Sequence, residues 1–140
     1  MASGIYTATR LALWKGEIDT DIHTFKIALL NNSHSFNPDH DNWSDVSSNQ
    51  ITGTGYTAGG KDLASFTQIV DDTNNLLRID ADNPSWTSAS FTAYHAVIYN
   101  DSHANDRLIC SIDFGGAQTV SSGTFTINFH SDGIFTEANA

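Results

Sequence analysis

Gly55-Tyr56-Thr57-Ala58-Gly59-Gly60-Lys61 reproduces the first seven positions of a phosphate-binding loop, in which backbone N–H groups and a lysine cradle phosphate oxygens. The eighth position speaks against that chemistry. Asp62 stands where a Ser or Thr hydroxyl would hold magnesium, and its carboxylate repels phosphate. The flanks disagree as well: Ser48-Asn49-Gln50 is no buried strand, and an alternating run follows instead of a helix. These glycines are better read as permitting tight bends between strands.

Asp39, Asp41 and Asp45 could supply oxygens to calcium, but Ser44 stands where a calcium-binding loop needs glycine, and no distant bidentate Glu follows. A solvated acidic loop, with Asp45 capping a short turn at Val46-Ser47, suits the same residues. His34 and His40 lack the Cys or paired-His spacing of a zinc site. His95 sits inside an apolar stretch, where a hydrogen-bonded structural histidine is the commoner case. Asp80 and Asp82 mimic a glycosidase pair, but in so acidic a chain two neighbouring acids are expected by chance. There is no Gly-x-Ser-x-Gly elbow and no His-Glu-x-x-His pair. No catalytic residue, cofactor or metal is therefore expected.

The elements that would position these groups are mostly strands. One helix is predicted over residues 3–15, with Ser3 as N-cap, Ile5, Ala8, Leu11, Ala12 and Trp14 near one face, and Gly16 as the stop. Its length is marginal alone, so it must dock on its own sheet or on a neighbour. From there the period becomes two. Thr24–Leu30, Leu76–Ala81, Arg107–Phe114 and Thr124–His130 alternate, and Lys61–Val70 is a weaker long strand. Ala89–Tyr99 is apolar on both faces, with Phe91, Val97 and Tyr99 opposing Tyr94, Ala96 and Ile98, as in a strand covered on both sides. Cys110 alternates with Leu108 and Ile112 and reads as a small core residue. Trp86, at a strand entry, reads as core too.

Turn signals separate the runs at 71–75, 82–84, 100–106 and 115–123. The long stretch 31–49 has room for one helical turn. The pattern predicts a mainly β chain, a single-domain antiparallel β-sandwich (Ig-like or jelly-roll-like) over residues 1–140. Residues 1–20 would form the helical segment and 21–140 the β body.

Charge narrows the function classes. Six Lys and Arg face sixteen Asp and Glu, a formal net charge of −10, and the six cations are dispersed. A phosphate-binding face needs clustered cations, so no direct nucleic-acid contact is expected. Charged residues are only 16% of the chain, against ~25% in typical globular proteins; polarity comes from Ser, Thr and Asn. One cysteine precludes an internal disulfide. The N-terminus lacks the pattern of a signal peptide, and no window reaches the ~20 apolar residues of a membrane span. A soluble protein made in a cytoplasm, with no membrane partner, is the expectation. The sequons at Asn31, Asn42 and Asn100 are then composition effects.

The text "MASGIY", "FKIALLNNSHSFNPDHDNWSDVSSNQITGTGYTAGG", "FTAYHAVIYND" and "LICSIDFGGAQTVSSGTFTINFHSDGIF" resembles a family of small structural proteins of tailed bacteriophages, over nearly the whole chain. Its signatures are Gly53–Gly60 and Ile112–Gly116. The resemblance implies a short helix before a β-rich body, no catalytic residues, and a place in the virion. A capsid decoration or cement protein is the leading expectation, with other virion proteins, foremost the major capsid protein, as partners. A homo-oligomer is expected, a trimer by analogy with decoration at local threefold positions. Ile5, Leu11, Trp14, Tyr56 and Trp43 are the expected contact residues. The alternative is a tail, neck or fibre component in which Trp43 and Trp86 stack a sugar ring.

Overall fold

The computed structural model describes residues 3–138. In chain order the elements are β1 (Gly4–Ile5), α1 (Thr7–Trp14), β2 (Phe25–Leu30), two 3₁₀ turns (Trp43–Asp45 and Ser47–Asn49), β3 (Lys61–Asp62), β4 (Thr67–Asp71), β5 (Leu76–Asp80), β6 (Ser85–Asn100), β7 (Arg107–Thr126) and β8 (Phe135–Ala138). Among the described residues 48% are in strands or bridges and 10% are helical, and the two sheets are antiparallel. The large sheet has the order β1-β7-β6-β2-β3, and the small one β4-β5-β8. The protein is an antiparallel β-sandwich with a short N-terminal helix.

Both faces of the large sheet are buried. On one, Phe25, Ile27 and Leu29 of β2 meet Ala96 and Ile98 of β6 and Cys110 of β7, with Phe135 of the small sheet packed onto the same cluster. On the other, Ala28, Leu30, Val97, Tyr99 and Leu108 are covered by Tyr6, Val46, Phe36 and Trp43. The 31–50 loop is thus a lid on the second face. Removing a fully buried Leu or Ile from water stabilises the fold by about 1.5–3 kcal/mol, so β2, apolar on both sides, anchors the molecule.

Four expectations are corrected. The helix does not start at Ser3: Gly4–Ile5 is extended and pairs with β7 at Ser111 and Cys110. Ser3 Oγ accepts the Asp113 N–H at 2.9 Å, so the first residues extend a sheet edge and the helical segment shrinks to Thr7–Trp14. The Lys61–Val70 run is two strands on two sheets. Ser65, at φ 57°, turns the chain from β2's edge to β5, and its hydroxyl holds the Asp82 carboxylate at 2.9 Å.

The predicted turn at 115–123 is instead interior to β7. Ala93 pairs with Gln118 and His95 with Asp113, so β7 carries Phe114, Gly115, Gly116 and Ala117 opposite Tyr94 alone. This wide bulge flips the parity of β6. Phe91 and Ala93 point to the same core as Ala96 and Ile98, whereas strict alternation had placed Phe91 with Val97 and Tyr99. The stretch around Phe125, Ile127 and Phe129 keeps its alternating burial beyond the end of β7, with Ile127 N–H bonded to the Pro84 carbonyl at 3.0 Å.

Candidate functional site

Among the described residues the most exposed large apolar side chain, Trp14, stands on the helix. The helix ends in a Schellman motif: Glu17 N–H reaches Ala12 O at 2.9 Å, and Gly16 N–H reaches Leu13 O at 3.2 Å. The motif needs a left-handed residue, and Gly16 supplies it at φ 73°. The side turned to the protein is small and polar rather than large. Thr9 and Ala12 are buried, and the Thr9 hydroxyl donates to the Leu108 carbonyl at 2.7 Å. The helix therefore docks on its own sheet, at β7. Leu11 (56% exposed), Leu13 (45%) and Trp14 (91%) are left facing water, as is Ile22 nearby in sequence (76%). Beside them an apolar groove of about 120 Å³ runs between α1 and the small sheet, floored by Phe25, Phe66, Leu77 and Phe135.

Among the expected contact residues, Leu11 and Trp14 are thus free-standing and the others are employed within the fold. Ile5 is half-buried in β1 against the core. Tyr56 is half-buried, its hydroxyl donating to Gln50 Oε1 at 2.8 Å and accepting the Leu29 N–H at 3.2 Å. Burial pushes that phenol up to about 12. Trp43 stacks on Tyr99, ring centroids 4.8 Å apart and 12° from parallel. Trp86 is 5% exposed, packs edge-on against Phe125, and carries the Lys61 ammonium 5.4 Å over its ring.

The glycine loop is held from within. Gln50 Oε1 takes the Gly59 N–H as well as the Tyr56 hydroxyl, Tyr99 donates to the Gly59 carbonyl at 2.5 Å, and Lys61 donates to the Ser85 carbonyl. Lys61 opens a strand, not the helix that would aim N–H groups at a phosphate. Tyr56→Phe is expected to cost about 1–2 kcal/mol, because the Gln50 oxygen and the Leu29 N–H would each lose a partner in a half-buried site. Urea melts of the two proteins measure the difference, and an unchanged midpoint would refute the role of the hydroxyl.

Polar residues also gather under the lid. His34 and Ser111 are each 2% exposed and bonded Nε2 to Oγ at 3.0 Å. The His34 and His95 rings meet edge to face, centroids 5.0 Å apart, and His95 Nδ1 lies 3.7 Å from Asp113 Oδ1. Burial is the main cause that lowers both histidines, His34 to about 4, with His95 and His40 adding repulsion on His34. The order Ser111, His34, His95, Asp113 resembles a nucleophilic relay only on paper. Ser111 is closed off from solvent, and His34 Nδ1 has no hydrogen-bond partner, where a catalytic histidine would be oriented by an acid. An open cleft of about 330 Å³ beside it is lined by Asn32, Tyr94, His95, Asp113 and the bulge glycines. Sequence reasoning missed this cluster, because His34, His95 and Ser111 come together only through the lid and the β6–β7 pairing.

The acidic loop is ordered by its own backbone. Asp45 Oδ2 accepts the N–H groups of Asp41 and Asn42, both at 2.9 Å, and these donors hold its carboxyl below the usual range. Asp45 therefore caps the 3₁₀ turn that it ends, not the one after it. Among the described residues no group of three or more His, Cys, Asp or Glu side chains is placed to hold a metal ion. Cys110 is buried and its thiol is pushed up to about 12.

The fold and these surfaces define a β-sandwich with an outward apolar helix face and a glycine loop tied down from within. Compared with known proteins, the chain matches no family model, no curated protein and no solved structure at a significant level.

Proposed function

We propose that this protein is a non-enzymatic structural component of a tailed-bacteriophage virion, a decoration or cement protein that coats the head and contacts the major capsid protein through the outer face of α1. One observation carries the reading. Leu11 and Trp14, one turn apart, stand 56% and 91% exposed on a helix whose other side is already docked. A large exposed aromatic on a helix whose Leu13 lines an apolar groove suits a protein interface. The resemblance to phage structural proteins supplies the setting. The net charge of −10 suits a solvated outer surface that repels DNA and other particles. Many copies on a symmetric lattice would make a modest contact area per copy sufficient.

The tail or fibre reading, with sugar stacking at Trp43 and Trp86, is the weaker one. Tyr99 already occupies a face of the first ring, and the core and Lys61 occupy the second. A glycan array probed with wild type and Trp43→Ala separates the two: binding lost in the variant would support the tail reading.

Mass spectrometry of purified virions tests the proposal at its base, and absence of the chain from the particle would sink it. Cryo-EM density then places it on head, neck or tail. Trp14→Ala is expected to change folding stability by less than about 0.5 kcal/mol, since the ring is nearly fully solvated, while weakening capsid attachment at least about tenfold, as loss of an aromatic anchor does. Binding of purified protein to undecorated heads measures the second quantity. Unchanged attachment would exclude the helix face as the contact.

A further inference from the structure

We propose that β4 is a self-association strand: Thr67–Asp71 pairs antiparallel with the same strand of a second copy, about a two-fold axis through Ile69, joining two small sheets into one. The sheet edges differ in a way that singles out this strand. The outer strands of the large sheet, β1 and β3, are two residues each, too short to template a partner. At the far edge of the small sheet, β8 has Glu137 engaged by Arg10 of α1 at 3.3 Å. The remaining edge, β4, is five residues long and pairs with β5 without a register shift. Residues 67–70 are all exposed, and Ile69 and Val70 leave 47% and 71% of their surface in water. Among the described residues, no backbone hydrogen bond runs from Thr67–Asp71 to any segment beyond β5.

Natural edge strands are guarded by lysine, proline, a bulge or brevity, because an open ladder recruits any strand that fits. Here lysine, proline, bulge and brevity are all missing, and the one side-chain tie, the Gln68 amide donating to Asp21 Oδ1 at 2.7 Å, takes up no backbone group of the ladder. The one charged side chain of β4, Asp71, is neutralised by Arg78 of its own sheet. The strand is also complementary to itself. With Ile69 facing its own counterpart, Gln68 faces Val70 and Thr67 faces Asp71, so apolar meets apolar at the centre and a hydroxyl meets a carboxylate at the ends. Val70 stands beside Leu77, its register partner on β5, at an open hollow at the end of the small sheet, and the pairing would cover its edge-facing side. Such an isologous contact closes at two copies, unlike the threefold arrangement that decoration by analogy suggests.

Charge gives the proposal a signature. Two chains of −10 each repel at long range, so salt must strengthen the dimer as the screening length falls from ~8 Å at physiological ionic strength to ~3 Å at about 1 M. Sedimentation velocity on the purified full chain, at both ionic strengths and over a range of concentrations, tests it whether or not the protein belongs to a virion. Wild type is expected to dimerise, more tightly at high salt. Ile69→Lys and Val70→Lys, both at exposed positions, are expected to fold as wild type by circular dichroism and to raise the dimer Kd by roughly tenfold or more each. Amide exchange in β4 is expected to slow as wild-type concentration rises. A wild type that stays monomeric throughout overturns the proposal and leaves the edge to a strand of another protein. An oligomer that neither lysine weakens, with β4 exchange unchanged, overturns it equally.

Discussion

Gly60→Ala is expected to lose about 2–5 kcal/mol of stability, a large part of the ~5–15 kcal/mol that a domain of this kind possesses. Two independent costs add. Gly60 adopts φ 81°, and a Cβ there would sit 2.0 Å from the Ile27 carbonyl oxygen, 2.7 Å from its carbon and 2.8 Å from the Ala28 Cα. The left-handed conformation alone costs an L-residue about 1–2 kcal/mol, and overpacking a tight site adds about 1–3 kcal/mol. The obstruction is backbone of β2, which is pinned on one side by β6 and buried on both faces, so it has nowhere to go. Gly59→Ala is the control. It pays the same conformational cost at φ 90°, but its Cβ meets only the Tyr99 hydroxyl, at 3.5 Å. Denaturant melts of both variants should separate by at least about 1 kcal/mol. Equal midpoints would mean that β2 yields, and that the glycine loop is not held against it as described.

Acid should destabilise the protein well before its carboxylates titrate. His34 is lowered from 6.5 to about 4 by burial first, then by His95 and His40, with Asp113 opposing. The folded state therefore resists a proton that the unfolded chain accepts near pH 6.5. Stability is complete above that pH and falls as pH drops through the window from 6.5 to about 4, below which this contribution is flat. Integrated over the window, the loss is roughly 3 kcal/mol. His95, also lowered by burial against the opposing pull of Asp113, acts in the same direction. His34→Gln retains an amide able to bond Ser111 and cannot titrate, so its stability should vary much less over this window. Thermal melts at about pH 7 and about pH 4.5 read the difference. Equal wild-type stability at the two values would show that the imidazole accepts its proton in place. A physiological consequence follows from the position of the pair: it links the 31–50 lid to β6 and β7, so the lid is the part expected to loosen first.

Much of the fold was legible because alternation is a local property. The apolar alternation of β2 and β5 carries its own signal, and so does the two-sided burial around Ala96–Tyr99; that of β7 misleads at its start, because the irregularity between Ile98 and Tyr99 puts Leu108 on the face opposite Cys110. Gly16 as the helix stop was readable from residue type alone, since few others enter the left-handed region cheaply. The helix start was not. Ser3 is a good cap by type, but the open edge of β7 takes Gly4 and Ile5 as a strand, and that edge lies over a hundred residues away. The same non-locality hid the β7 bulge. Gly115 and Gly116 signal a turn by type, and only the pairing with β6 on either side converts the turn into an extrusion within one strand.

The candidate site divides along the same line. That Leu11 and Trp14 are large and apolar is a fact of sequence. That they face water follows from Thr9 and Ala12 being the residues small enough to let the helix approach β7. Tyr56 and Trp43 carried the same promise by type, yet Gln50 and Tyr99, from other segments, absorbed them. The histidine cluster and the unguarded edge of β4 had no sequence signal, because each depends on which segments lie beside it and which do not. By itself, the sequence determined residue types, periods and charge: a mainly β, acidic chain with no basic face. Tertiary structure alone decided which apolar groups were consumed by the core and which remained outside, because burial is settled by neighbours distant in the chain.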